Sequence, residues 1–112
     1  MKVCIPALGS DQSDEIDPKF GRCHYLHFID TETLNGDCQK NLKRDGDHGV
    51  GIQVAQQILR QNIQVVICSE VGPNAMEVLE SGGVQIYEGQ RCSVAEAISL
   101  YRQNRLSAIG SD

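Results

Sequence analysis

The chain lacks tryptophan and carries only two phenylalanines, three tyrosines and three prolines in 112 residues. It has no apolar run approaching the roughly 20 residues that a membrane-spanning helix needs. The opening Met1-Lys2-Val3-Cys4-Ile5-Pro6 runs straight into a strand-like segment and then polar loop, so it reads as no signal peptide and implies a cytoplasmic location. Positive charge is scarce: 10 basic against 15 acidic residues give a net charge of -5. A nucleic-acid partner, which wants a basic stripe, is therefore not expected. The five cysteines form no C-x-x-C pair, which argues against a structural zinc site, and a disulfide framework does not suit the cytoplasm. G-x-x-x-x-G-K-[ST], G-x-S-x-G and H-E-x-x-H are all missing, which removes phosphate-loop, hydrolase-elbow and zincin chemistry. No enzyme is expected.

What is present is a pair of glycine-bearing turns, each opening into an apolar-periodic segment. One is His48-Gly49-Val50-Gly51-Ile52-Gln53; the other is Val71-Gly72-Pro73-Asn74-Ala75-Met76. A helix start leaves backbone N–H groups unpartnered and bears partial positive charge, so it suits an anion. Glycine lets that anion approach the backbone, having no Cβ in the way. A dinucleotide fingerprint is not supported, because Val54 stands at the third glycine of G-x-G-x-x-G and Lys40 to Asp47 is too polar for a buried strand.

The periodicities predict an α/β chain with a mixed five-stranded sheet in three layers. Val3-Cys4-Ile5 reads as a first strand stopped by Pro6, and positions 8–22 as a long loop whose acidic run is solvated. Tyr25–Ile29 reads as a second strand, and Asn35-Gly36 as the hairpin turn into an edge strand from Asp37. Helices are predicted from Val50, Pro73 and Val94, the last opened by the capping box Ser93-Val94-Ala95-Glu96. Strands are predicted at Ile63–Cys68 and Val84–Glu88 between them, the former β-branched as in a parallel sheet. A single domain over 1–106 with a polar tail at 107–112 follows. An unpaired edge strand makes a homodimer plausible.

In such sheets ligands sit beyond the carboxyl ends of the parallel strands. His48, Gly49, Gly51, Gly72, Pro73 and Asn74 are the candidate lining there, and Arg22 could add a planar fork of donors. His24 and His27 read as ordinary strand residues, and each cysteine singly as a small buried apolar residue.

The motifs Phe20-Gly21-Arg22, His48-Gly49-Val50-Gly51-Ile52-Gln53 and Val71-Gly72-Pro73-Asn74-Ala75, together with the opening hexapeptide, Ile86-Tyr87-Glu88-Gly89 and Val94-Ala95-Glu96-Ala97-Ile98, follow a familiar order. In these the chain resembles the dinitrogenase iron-molybdenum cofactor-binding family, which includes NifX, NafY and the C-terminal part of NifB. The resemblance implies a ribonuclease-H-like fold and non-enzymatic carriage of a metal–sulfur cluster, containing iron or molybdenum, to an assembly or acceptor protein. It places an imidazole ligand at His48; beside it, Cys23 and Cys68 are taken as thiolate candidates on this reading. Cys23-His24 departs from the Ala-Pro common in relatives; the pair is either a set of extra ligands or a plain substitution. Two other readings remain: a phosphate- or nucleotide-binding module at the same helix starts, and a scaffold whose contacts lie on the edge strand from Asp37 to Asn41.

Overall fold

A computed structural model of the chain describes residues 1–89 and 91–110. The elements run β1 (Lys2–Ala7), β2 (Tyr25–Asp30), β3 (Gly36–Lys40), α1 (Val50–Arg60), β4 (Val65–Cys68), α2 (Pro73–Ser81), β5 (Gln85–Glu88), α3 (Val94–Arg102) and β6 (Ser107–Ile109). They build one mixed sheet in the order β3-β2-β1-β4-β5-β6. β1, β4 and β5 are parallel; β2, β3 and β6 run against their neighbours.

Strand alternation splits the core in two. Cys4, Leu26, Val66, Cys68 and Ile86 face one side, where they pack with Val54, Ala55 and Ile58 of α1 and Ala75 and Leu79 of α2. Val3, Ile5, Ile29, Val65 and Ile67 face the other, against Val94, Ala97 and Ile98 of α3. The result is helix, sheet and helix in three layers. Among the described residues no helix is long and apolar enough to cross a membrane.

The sheet has six strands, not the five expected. The sixth lies in the polar stretch read as a tail: Ser107, Ala108 and Ile109 pair antiparallel with Glu88, Tyr87 and Ile86. Three residues are too short to show a period, and their pairing is with a strand about twenty positions away. Residues 111 and 112 of that expected tail lie outside the described residues.

Pro6 does not stop β1, which runs on to Ala7. Thr31 N–H donates to the Met1 carbonyl, so in the β1–β2 ladder the bonded pairs fall on odd positions of β1. Pro6, opposite Leu26, therefore sits where β2 asks nothing of its missing N–H. The β2–β3 reversal also differs from the Asn35-Gly36 turn expected. Leu34 N–H donates to Asp30 O at 2.8 Å and Asp30 N–H to Asn35 O at 2.9 Å, and it is Leu34 that takes the left-handed conformation, φ 63°.

The segment from Leu8 to Arg22 is tied down rather than simply solvated. Ile16 N–H donates to Cys92 O and Asp17 N–H to Pro6 O, and Ile16, Asp17 and Phe20 are all buried.

Candidate functional site

β1, β4 and β5 end at one edge of the sheet, and there the chain enters α1 and α2. Gly49, in the left-handed region at φ 65°, ends the loop before α1; Gly72, extended at φ -66° and ψ 161°, precedes Pro73 at the head of α2. The first helical bonds are Gln53 N–H to Gly49 O and Met76 N–H to Gly72 O, both 2.9 Å. Neither helix has a side-chain cap or an acidic residue in its first turn. The amides of Val50, Gly51, Ile52, Asn74 and Ala75 thus have no hydrogen-bond acceptor among the described residues. The third helix shows the contrast. Ser93 accepts from Glu96 N–H and Glu96 reaches back to Ser93 N–H, so α3 closes its own end.

The two open ends are neighbours. A Cβ added to Gly51 would stand 3.4 Å from the Ala75 Cβ. Both ends border one cleft of about 710 Å³, which Phe20 and Gly21 also line together with Lys19, Glu70 and Glu88. Gly49, Gly51, Gly72, Pro73 and Asn74 all line this cleft. Ile109 of β6 lines it too, as does Val71.

Arg22 and His48 do not line it. Arg22 is exposed, and its guanidinium donates to the Arg44 carbonyl at 2.8 Å. That bond, with Asn41 Nδ2 donating to the Gly21 and Cys23 carbonyls at 3.0 and 2.9 Å, knits the Phe20-Gly21-Arg22 turn to the loop that feeds α1. His48 is exposed beside Gly49 and has no hydrogen-bond or ion-pair partner among the described residues.

Cys23 and Cys68 are wholly buried on the α1/α2 side of the sheet, and neither reaches the cleft surface. Burial first, then the Asp17 carboxylate, pushes the Cys23 thiol up to about 12. Burial first, then Glu88, does the same for Cys68, also to about 12. Cys4 joins them: burial, then Cys23 and Cys68, raise it well above the ordinary thiol value. These are neutral core thiols at pH 7, not thiolates. Among the described residues no three His, Cys, Asp or Glu side chains are grouped to hold a metal ion.

Asp17, 3% exposed, closes the loop that carries Phe20 and Gly21. Its carboxylate accepts from Lys19 N–H at 3.0 Å, from His24 N–H at 3.2 Å and from His24 Nδ1 at 2.9 Å. A carboxylate only accepts, so the neutral His24 ring carries its proton on Nδ1 and leaves Nε2 with a lone pair.

Sequence reasoning did not place Asp17, Asn41, Glu88 or Lys19 at the site, and considered Glu70 only as the acid of a dinucleotide fingerprint. Glu88 was within reach of it, since like Glu70 it follows or ends a parallel strand at the edge where such sheets generally bind ligands. Asp17 was hidden inside an acidic run.

Fold and cleft together define a three-layer α/β protein with two uncapped helix starts bordering one cleft at the carboxyl edge of its parallel strands. Over residues 1–104 the chain matches the family described as dinitrogenase iron-molybdenum cofactor, and it belongs to that family. It is 28% identical over 109 residues to an uncharacterized protein of Methanocaldococcus jannaschii, covering 95% of this chain and 89% of the relative. A Thermotoga protein proposed to be a NifB protein is 32% identical, with a TM-score of 0.86 over 99% of this chain and 95% of that one. The apo orange protein of Desulfovibrio gigas superposes with a TM-score of 0.93 at 22% identity, covering 98% and 93% of the two chains, and shares the fold.

Proposed function

We propose that this chain is a non-enzymatic, cytoplasmic carrier that holds an anionic metal–sulfur cluster, containing iron or molybdenum, in the cleft and passes it to a cofactor-assembly or acceptor protein. The observation that carries this reading is the pair of uncapped helix starts bordering one cleft, beside a third helix that caps itself. Five amides without acceptors form a preorganised donor set for bridging or terminal sulfides, and the two helix dipoles add to it. Membership in a family named for the iron-molybdenum cofactor supports the cargo class. The ribonuclease-H-like label implied by the resemblance belongs to the same reading.

The residues present fit such a cargo. Glu70 and Glu88 flank the amides with only Lys19 to offset them in the lining. A bare phosphate there meets two carboxylates and one ammonium, whereas a cluster offers sulfide to the amides and metal cations to the carboxylates. No thiolate faces the cleft, so the amides do the holding. His48, exposed and unpartnered beside Gly49, supplies an imidazole ligand from the rim, and Arg22 holds the wall turn in place.

Anaerobic incubation with iron, or with tetrathiomolybdate, and sulfide, followed by metal analysis and visible spectroscopy, tests this. The expected result is a stoichiometric chromophore that weakens in His48→Ala. Phosphate-dependent thermal stabilisation, with no bound metal and no effect of His48→Ala, would replace the carrier with a phosphate-binding module.

A further inference from the structure

We propose that the groove between the end of β3 and the last turns of α1 is a docking site for an acidic, extended segment of a partner protein, which lies along the open edge of β3 and is anchored on Leu42.

The groove measures about 490 Å³ and is lined by Gln39, Lys40, Leu42, Lys43, Gln57 and Arg60. Its lining holds three of the chain's 10 basic residues and no carboxylate, in a molecule of net charge -5. The Lys40, Lys43 and Arg60 side chains have no ion-pair partner among the described residues. Guarding a strand edge accounts for Lys40, and the negative end of α1 accounts for Arg60. Neither accounts for three cations lining one groove without a counter-charge. A segment bearing carboxylates supplies what the groove lacks.

Leu42 gives the groove an apolar anchor. It is 88% exposed, the most exposed large hydrophobic side chain among the described residues. The turn that carries it is fixed. Asn41, which is buried, donates through Nδ2 to the Gly21 and Cys23 carbonyls, and its Oδ1 accepts from Lys43 N–H at 3.1 Å. Gly46 N–H donates to Lys43 O, also at 3.1 Å. Leu42 is thus held out beside Lys43 by an ordered turn. Covering it removes apolar surface from water without first having to order the chain that bears it.

The strand edge adds a main-chain component. Asp30 N–H donates to Asn35 O and Asn41 N–H to His24 O, so along the β2–β3 ladder the bonded pairs are Leu26 with Gln39 and Phe28 with Asp37. The N–H and C=O groups of Cys38 and Lys40 therefore point away from β2, at the open end of the sheet. An extended segment laid along them pairs as a further strand. Its side chain opposite Gln39 then shares the face of Gln39 and Leu26, which is the α1 face where the groove lies. Asp30 and Asp37 border the other end of this edge and repel the same segment there, which places it over Lys40 and Lys43. A nucleic acid fits less well, because the groove lining has no aromatic ring on which a base could stack. No residue of this groove lines the cleft, so the docking site does not depend on the cargo.

Fluorescence anisotropy tests this, with the full chain and a capped, labelled peptide of about ten residues that mixes glutamate and aspartate with valine and leucine. The expected result is saturable binding that weakens as salt rises, and none to a counterpart peptide with lysine at the acidic positions. Lys40→Glu combined with Lys43→Glu should weaken binding at least about tenfold at low salt, and by less at high salt. Leu42→Ser should weaken it several-fold at every salt concentration, because the lost contact is apolar. These positions are exposed or half-buried, so the variants keep the fold, which circular dichroism checks. The Cys38 and Lys40 amides should become protected from hydrogen exchange in the complex. Absence of saturable binding at millimolar peptide overturns the proposal, as does binding indifferent to the charge reversal. Binding that leaves those two amides unprotected, or tighter binding of a thymidine oligonucleotide than of the peptide, overturns it too.

Discussion

Gly21 lies directly on Gly51: a Cβ added to Gly21 would come within 2.7 Å of both the Cα and the N of Gly51. The obstacle is backbone, which has no rotamer through which to yield. Two motifs thirty positions apart in sequence thus make one wall of the cleft, and neither glycine is there for a turn alone. Gly21→Ala should force the Phe20-Gly21-Arg22 turn off α1 and cost about 1–3 kcal/mol. Urea unfolding measures it, with Gly72→Ala as the control, since a Cβ at Gly72 meets nothing within 4 Å. Equal stability of the two variants would disprove the close approach.

Helix starts were legible because glycine and proline mark them locally. Gly49, Gly51, Gly72 and Pro73 could be placed on one sheet edge from the βα order alone, and the structure sets them around one cleft. Arg22 was harder: its partner is a main-chain carbonyl, Arg44 O, which no residue type announces. β6 and the buried role of Asp17 were illegible for a related reason. Ser107–Ile109 becomes a strand only through β5, and Asp17 differs from Asp11 and Asp14 only in what folds over it.

That covering of Asp17 has a measurable consequence at His24. With the carboxylate in place, the neutral imidazole is held as the Nδ1–H tautomer. Long-range nitrogen–proton correlation spectra should show this single form. Asp17→Asn puts an amide N–H₂ among three donors, so it should redistribute the tautomers. It should also cost about 1–3 kcal/mol for the group left unsatisfied. An unchanged His24 tautomer would remove Asp17 from the role of loop closure.

The buried thiols predict the alkaline limb of stability. Cys23 and Cys68 hold their protons to about 12 in the folded chain, against an ordinary value of 9.0. Between those values the unfolded chain has released protons that the folded one retains, so unfolding is favoured as pH rises. Each thiol takes away about 1.4 kcal/mol per pH unit over that window, and nothing below pH 9. Chemical denaturation from pH 8 to 11 should show the decline, and Cys68→Ala should make it shallower by one thiol's share. A slope unaffected by Cys68→Ala would mean that the thiol ionises in place.

Gly72→Asp separates the proposed binding role of the helix starts from their structural role, because it drives the two in opposite directions. Gly72 already has the extended backbone of an N-cap, and its Cβ position is open. Aspartate there can accept from the Asn74 or Ala75 amide and place a negative charge at the positive end of α2. The folded chain should gain about 0.5–1 kcal/mol from cap and dipole together. The same carboxylate fills the donor set and repels an anionic cargo, so cluster reconstitution should fail. A variant that is less stable and binds nothing says only that the turn was damaged. Raised stability with lost binding is the signature of amides kept open for a ligand. Raised stability with full reconstitution would mean that the cluster, if the chain carries one, is held elsewhere.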